Sequence, residues 1–281
     1  MRTFLFFFLM IPVILRAQLI VPLTAESFPD ATIGAPTIYD NASVMEYNED
    51  AAVFIESGFQ SLMVQEIVWD KVTIKVEVYQ MATPAAAFGI NSISLLKCLQ
   101  RDTLTPFDCN GIYQYQAAYG NLYISVSNES GSAAARTHYL PVANAIMQKN
   151  PQQVFKLPVP FTQPLMNKGK KNLVFVQGPV GLQYILFPWQ DLFTGIDFGM
   201  FAIVLANTQS DIYFARIQFA APDGMMRFLR LAGLMQGDVP VPNTNTNDGI
   251  YREYQQVDYQ TIYFLQSQEP WPISAVISAD K

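Results

Sequence analysis

Alternating apolar and polar positions are the clearest pattern in the first half of the chain. Val72 to Tyr79 carries valine or isoleucine at every second position, and the run before it alternates in the same way. A period of two is typical of a strand with one buried face, and Asp70-Lys71 between the two runs favours a tight turn. A second pair of runs meets at Gly120-Asn121. The predicted hairpins are 60–69 with 72–79, and 112–118 with 122–126.

Helix signals flank these hairpins. Ser43 followed by Glu46 fits a capping box at the start of a helix. Thr83-Pro84 fits a second start, with Thr as the N-cap and Pro at the first helical position. A third helix closes the unit, although Pro141 inside it can kink or split it. The predicted helices are 43–58, 84–97 and 133–149.

The second half repeats this order of elements. Strand patterns at 201–206 and 212–219 precede Pro222, which opens an amphipathic helix, and another hairpin pattern follows. The spacing that separates Pro84 from Pro222 also separates Gly111-Ile112-Tyr113 from its repeat, Gly249-Ile250-Tyr251. We therefore predict an α+β protein of two similar units, each an antiparallel sheet of two hairpins backed by helices. The alternative is two unrelated α+β halves with similar turn residues. The predicted segments are a signal peptide (1–17), an extended lead-in (18–39), a first repeat (40–150), a linker (151–171) and a second repeat (172–281).

The N-terminus has the layout of a cleavable secretory signal. Arg2 supplies a positive start, residues 4–15 form an apolar run broken only by Pro12, and Ala17 is a small residue at which cleavage can occur. The run is shorter than the ~20 residues that a transmembrane helix needs. We expect an exported, periplasmic or extracellular protein with no membrane span after cleavage.

Composition narrows the classes of partner. Apolar residues make up 51% of the chain, and the formal net charge is −6 without a basic stripe. A nucleic-acid partner is not expected, because phosphate contacts supply most of that affinity. Cys98 and Cys109 are expected to form a disulfide in an oxidising compartment. No P-loop, dinucleotide fingerprint or zinc-protease signature occurs in the sequence, so we predict no cofactor and no metal site.

One set of motifs resembles a known group of sequences. The pattern runs from Glu46-Tyr47 through Gly58-Phe59 and Val76-Glu77-Val78-Tyr79-x-Met81 to Pro84-x-x-Ala87-Phe88-Gly89-Ile90. It resembles an uncharacterised family of exported bacterial proteins, over roughly residues 40–130. The resemblance implies export and a duplicated α+β body. It implies no activity, cofactor or catalytic residue.

Tyrosines are the most suggestive candidates for binding. They crowd the hairpin around Tyr113 and Tyr115 and its counterpart around Tyr251 and Tyr254. Tyrosine has an apolar ring and a polar tip, which suits sugar and protein surfaces. We predict that these four residues belong to a binding surface for a glycan or an envelope protein. The alternative is packing between the two repeats.

The function predicted from these features is non-catalytic binding, or an accessory role, in the cell envelope. The lone His138 is not accompanied by a Gly-x-Ser-x-Gly motif, and no catalytic residue is predicted. The alternative is a hydrolase that acts on an envelope polysaccharide or peptide through carboxylates such as Glu66 and Glu77. A further acidic group, at 46, 49 and 50, would share one helical face. We interpret it as a complement to the helix dipole, with Ca²⁺ binding as the alternative.

Overall fold

The structure is a computed structural model, and it describes residues 20–94, 98–153, 155–157, 161, 173–184, 189–207, 212–246 and 249–274. The predicted signal segment 1–17 and most of the predicted linker 151–171 lie outside these residues. Within the described ranges, no helix combines the length and apolar character that crossing a membrane requires. Helices and antiparallel sheets are both present, which confirms the α+β class.

The first sheet uses strands from the first half of the chain. These strands are β1 (Thr32–Ile33), β2 (Thr37–Tyr39), β3 (Phe59–Trp69), β4 (Val72–Met81), β5 (Gln100–Arg101), β6 (Asp108–Asn110), β7 (Gln114–Tyr119) and β8 (Leu122–Ser127). Their order is β1-β3-β4-β8-β7-β6-β5, and β2 also pairs with β3. The two predicted hairpins are confirmed as β3–β4 and β7–β8. Asp70 and Lys71 both have positive φ, 49° and 64°, as a two-residue type I′ turn requires. β1 and β2 lie in the predicted lead-in, so the sheet begins before the predicted repeat boundary.

Helices cover both faces of this sheet. They are α1 (Val44–Tyr47), α2 (Ala51–Glu56), α3 (Pro84–Ser94) and α4 (Ala133–Lys149). α4 continues through Pro141 and packs on the face that carries Ile74, Val76 and Val78. α2 and α3 pack on the opposite face. The predicted start of α3 is confirmed, because the Thr83 hydroxyl oxygen accepts a hydrogen bond from the amide of Ala86.

The single helix predicted for 43–58 is wrong. The chain leaves helical geometry at Asn48, whose side chain accepts a hydrogen bond from the amide of Asp50. Such local bonds compete with helix continuation. The capping box is also absent, since Ser43 makes no side-chain cap bond and instead donates its hydroxyl to Asp40. The acidic residues at 46, 49 and 50 therefore do not share one helical face.

The second sheet repeats part of this topology. Its strands are β9 (Val174–Val176), β10 (Phe198–Asn207), β11 (Ile212–Phe219), β14 (Asn243–Asn245), β15 (Tyr251–Gln256) and β16 (Thr261–Ser267), while β12 (Met235–Gln236) and β13 (Val239–Pro240) pair separately. Its helices are α5 (Pro179–Tyr184), a 3₁₀ helix (Gln190–Phe193) and α6 (Pro222–Leu231). The order is β14-β15-β16-β11-β10-β9. The four strands β3-β4-β8-β7 and the four strands β10-β11-β16-β15 thus have the same order. In each set a proline-initiated helix follows the second strand, β4 or β11, along the chain.

The two sheets meet around α3. A Cβ at Gly89 would lie 2.9 Å from the carbonyl oxygen of Phe175, so only glycine lets α3 approach β9 this closely. The amide of Phe175 donates to the Ser92 hydroxyl at 3.0 Å. The carboxylate of Glu56 accepts from the amides of Val180 and Gly181 at the start of α5. These contacts join the described parts of both halves.

The predicted disulfide is confirmed. Cys98 and Cys109 are bonded, with their Cα atoms 5.4 Å apart. Beside this bond, the buried carboxylate of Asp108 accepts hydrogen bonds from backbone amides at 103–105. It also accepts from the hydroxyl of Tyr115 at 3.0 Å. The loop between the cysteines is therefore held by a covalent bond and by one buried carboxylate.

Candidate functional site

A polar cleft opens on the face of the first sheet opposite α4. Its volume is about 390 Å³, at the lower end of the ~300–1,000 Å³ typical of ligand sites. We call it the Glu77 cleft. Its lining residues are Tyr47, Asn48, Asp50, Phe54, Lys75, Glu77, Tyr79, Ser94, Gln114, Tyr123 and Ser125.

Strand alternation places most of these side chains together. Ile74, Val76 and Val78 of β4 face α4, so Lys75, Glu77 and Tyr79 face the other way. On the neighbouring strand β8, Ser125 lies opposite Glu77, and Tyr123 lies opposite Tyr79. The break after α1 brings Tyr47 and Asn48 over this face. The cleft therefore combines one local strand pattern with a helix that is distant in sequence.

The carboxylate of Glu77 is the centre of the hydrogen bonding. It accepts from the hydroxyl of Tyr47 at 2.8 Å, from that of Ser125 at 3.3 Å, and more weakly from that of Tyr79 at 3.5 Å. The side-chain amide of Asn48 in turn donates to the Tyr79 hydroxyl at 3.2 Å. The Glu77 side chain is only 13% exposed. These bonds fix the carboxylate at the lining of the cleft.

The tyrosines around Glu77 are neutral hydrogen-bond donors. Burial raises the pKa of Tyr47 and of Tyr79 well above the usual range, and the negative charge of Glu77 raises both further. Burial also raises the pKa of Tyr123. Each phenol consequently keeps its proton at any physiological pH. The site offers a carboxylate acceptor surrounded by hydroxyl groups and aromatic rings.

The second sheet fills the corresponding positions with apolar side chains. Ala215 precedes Pro222 by the same number of residues as Glu77 precedes Pro84. Ala215 lies opposite Phe264, where Glu77 lies opposite Ser125. The ring of Trp189 packs on Phe264 with centroids 4.9 Å apart. The strand order that the two sheets share is thus compatible with an apolar core at these positions. The polar cleft is therefore a feature of the first sheet and not of the strand order itself.

Concave regions elsewhere on the described surface include two of larger volume. One, of about 560 Å³, follows a single helix, α6, between Asp223 and Leu231. The other, of about 420 Å³, lies between the start of α4 and the strands β5 and β6. Neither contains a carboxylate that accepts hydrogen bonds from several tyrosines. The Glu77 cleft is the better candidate for specific recognition.

The predicted tyrosine surface does not assemble. Tyr115 is fully buried and belongs to the core beneath α4, so it is not available to a ligand. Tyr113 precedes β7 and is 60% exposed. The structure therefore separates two residues that strand periodicity placed on one exposed face. The reason is that Tyr113 lies before the start of β7, whereas Tyr115 lies on the face of β7 that α4 covers, and alternation alone does not show which face is covered.

The other two predicted tyrosines lie in the second sheet. Tyr251 packs with the cluster that includes Phe214, and Tyr254 packs with the cluster that includes Phe264. The hydroxyl of Tyr251 donates to Glu253 at 2.7 Å. Burial and, to a smaller extent, this hydrogen bond raise the pKa of Tyr251 to about 12. The two side chains pack with different clusters and do not form one surface with Tyr113.

The predicted carboxylates separate in the same way. Glu77 lies in the cleft, whereas Glu66 is exposed on β3 opposite Lys75 and does not line it. Asp50 is the second carboxylate of the cleft, and it accepts from the hydroxyl of Tyr184 at 2.7 Å. His138 is buried on α4, stacked on Trp69 and 3.5 Å from Asp70. Among the described residues, no group of three or more His, Cys, Asp or Glu side chains could hold a metal ion.

Sequence reasoning missed the tyrosines of the cleft. Tyr79 and Tyr123 lie opposite each other on β4 and β8, and Tyr47 reaches Glu77 from α1. Tyr47, Glu77 and Tyr79 all occur in the motif that resembles the exported family. That coincidence was the available signal, and it did not reveal which residues meet.

Comparisons with known proteins identify no relative of this chain. No protein-family model matches the chain, and neither a curated protein nor a solved structure shows significant similarity to it. The resemblance to an exported bacterial family stays a prediction.

Proposed function

We propose that this chain is a non-catalytic glycan-binding protein of the cell envelope and that the Glu77 cleft is its binding site. The observation that carries the proposal is the contrast between the two sheets. The first sheet keeps a partly buried carboxylate, a serine and two tyrosines at positions where the second sheet has apolar residues of one core cluster, among them Ala215 and Phe264. A buried polar set has to be hydrogen-bonded to be tolerated, so it is not what core packing alone would select.

The chemistry of the lining supports a hydroxyl-rich ligand. The Glu77 carboxylate accepts hydrogen bonds, while the side chains of Asn48 and Gln114 can both donate and accept. Tyrosine rings supply apolar surface with polar tips, which suits the mixed character of a sugar. A cleft of about 390 Å³ is suited to a short saccharide rather than to a folded partner.

Export to the periplasm or the extracellular space is part of the proposal. The confirmed disulfide between Cys98 and Cys109 is compatible with an oxidising compartment. The apolar N-terminal segment has the layout of a secretory signal. Mass spectrometry of the protein purified from a bacterial periplasm tests this, because cleavage near residue 17 is expected. Recovery of the uncleaved chain in the cytoplasm alone would contradict it.

Glycan binding is tested on immobilised envelope polysaccharides and by calorimetry with the oligosaccharides that bind. We expect Glu77→Gln to weaken binding by about tenfold or more, since it removes a charge-assisted acceptor. Glu253→Gln is the matched control, because it also changes a strand glutamate that accepts from a tyrosine, but in the other sheet. Equal binding by both variants, or no binding by the wild type, would reject the proposal.

A hydrolase remains the second candidate because Asp50 and Glu77 line the same cleft. Glycoside hydrolysis uses two carboxylates on either side of the scissile bond. Release of reducing ends from an envelope polysaccharide, lost in both Asp50→Asn and Glu77→Gln, would favour this reaction. Ligand binding without such release supports the non-catalytic function.

A further inference from the structure

We propose that the Glu77 cleft selects glycans that carry a free amino group, and that the ammonium of Lys75 holds the place of that group when no ligand is bound. This inference rests on the proposed glycan-binding function. It is based on the position of Lys75, which lies in the cleft beside both a carboxylate and an aromatic ring.

The position of Lys75 defines a subsite for a cation. Its Nζ atom lies 3.6 Å from Oε1 of Glu77 and 5.7 Å from the centroid of the Tyr47 ring. A cation within about 6 Å of an aromatic ring is attracted by the negative face of the ring. A carboxylate beside that ring adds charge and a hydrogen-bond acceptor. Together these groups would bind an ammonium better than a neutral hydroxyl.

The subsite is only loosely filled by Lys75. Its side chain is 46% exposed, whereas that of Glu77 is 13% exposed. The distance of 3.6 Å to Oε1 exceeds the ~2.7–2.9 Å of a charge-assisted hydrogen bond. A ligand amino group that is not tethered to β4 could approach Glu77 more closely. The lysine is therefore a weak occupant that a ligand could displace.

Glu77 retains acceptor capacity for such a ligand. Its Oε2 atom accepts only the 3.3 Å bond from Ser125 among the contacts of the described residues. An ionised carboxylate has about four acceptor positions. Tyr47 and Ser125 hold the carboxylate in place without using all of them. The acceptor positions that remain can take an additional N–H donor.

Lys75 also has another carboxylate to pair with. Glu66 lies directly opposite Lys75 in the β3–β4 ladder and is exposed. Directly opposite side chains share one face of a sheet, with Cβ atoms about 4.5–5.5 Å apart. A displaced Lys75 side chain can thus turn from Glu77 toward Glu66. In the ligand-bound protein Lys75 would then pair with Glu66, and Glu77 would pair with the amino group of the ligand.

The test compares three disaccharides of similar size by calorimetry at mildly acidic pH and low salt. They are the β-1,4-linked dimers of glucosamine, of N-acetylglucosamine and of glucose. We expect the glucosamine dimer to bind the wild type at least about tenfold more tightly than the other two, because only its amino groups are charged. Glu77→Gln should remove this preference, while the control Glu253→Gln should retain it.

The variant Lys75→Met distinguishes two roles of Lys75: displacement by the ligand and direct contact with the ligand. Removing the competing ammonium should raise the affinity for the glucosamine dimer by a fewfold, whereas weaker binding by this variant would overturn the placeholder role. Equal affinity of the wild type for all three dimers would overturn the amine preference and leave glycan binding intact. Failure of all three dimers to bind, together with no binding to the immobilised envelope polysaccharides, would reject the proposed function as well. Thermal melts of each variant establish that it is folded before binding is interpreted.

Discussion

The buried carboxylate of Asp108 gives the sharpest stability prediction. Its oxygens accept from the amides of Thr103, Leu104 and Thr105, at 2.6–3.1 Å, and from the hydroxyl of Tyr115 at 3.0 Å. Tyr115 and Thr105 are themselves buried. Asp108→Ala would remove the acceptor that these two donors use, whereas water can reach the exposed Leu104. The perturbation therefore acts chiefly through two buried groups.

The expected magnitude follows from those two donors. A buried donor left without a partner costs about 1–3 kcal/mol, so the loss of the acceptor for two such donors in Asp108→Ala should lower the free energy of unfolding by about 2–6 kcal/mol. Asp108→Asn keeps one oxygen for the amides and should lose about 1–2 kcal/mol, because bonds to a neutral acceptor are weaker than bonds to a charged one. Tyr115→Phe, which removes one bond, should lose about 1 kcal/mol.

Urea unfolding followed by circular dichroism, with the disulfide intact, measures these changes. The double variant Asp108→Ala/Tyr115→Phe should be more stable than the sum of the single changes implies, because the phenylalanine has no hydroxyl to leave unpaired. We expect a coupling energy of about 1 kcal/mol or more. Additive effects, or a loss below about 1 kcal/mol for Asp108→Ala, would refute the role assigned to this carboxylate.

Three further predictions concern the rest of the framework. Glu56→Gln weakens the cap on α5 and should lower the free energy of unfolding by about 1–2 kcal/mol in urea denaturation. The control Glu49→Gln, at an exposed position, should leave it unchanged. Burial raises the pKa of Tyr79 and Tyr123 above that of an unfolded chain. The stability that these neutral tyrosines contribute to the folded protein is therefore complete below pH ~10. Above that pH the free energy of unfolding should fall by about 1.4 kcal/mol per pH unit for each tyrosine. Melting temperatures followed from neutral pH upward, together with phenolate absorbance, should show stability falling only in that alkaline range. Reduction of the disulfide, or replacement of both cysteines by alanine, should each lower the free energy of unfolding by about 2–3 kcal/mol in chemical denaturation.

Local patterns predicted the elements whose causes are themselves local. The β3–β4 hairpin follows from the alternation of 72–79 and from a two-residue turn at Asp70 and Lys71, both of which adopt positive φ. The start of α3 follows from Thr83 and Pro84, which supply a cap and a fixed φ. The shared order of the two sets of four strands agrees with the repeated order of elements in the sequence. Descent of both halves from one ancestral unit stays a prediction.

Non-local contacts decided what the patterns missed. Helical spacing predicted one helix over 43–58, but Asn48 binds the amide of Asp50 and turns the chain. That turn is also what brings the Tyr47 hydroxyl to Glu77, a partner thirty positions away. Alternation correctly placed Glu77 on the polar face of its strand. It could not indicate that Ser125 and Tyr47 enclose that face, because pairing with β8 and the path of α1 are set by the whole fold.

The contrast between the two sheets also explains why the cleft is open rather than merely polar. In the second sheet Trp189 packs on Phe264, and both rings belong to the same core cluster as Ala215. In the first sheet the corresponding space lies over Glu77, whose carboxylate an indole could not cover without removing its hydration. Replacing Glu77 and Ser125 together by apolar residues should therefore leave the sheet folded, since the same strand order already tolerates that composition. Retention of stability with loss of ligand binding would assign the polar set to recognition, whereas loss of both would assign it to folding.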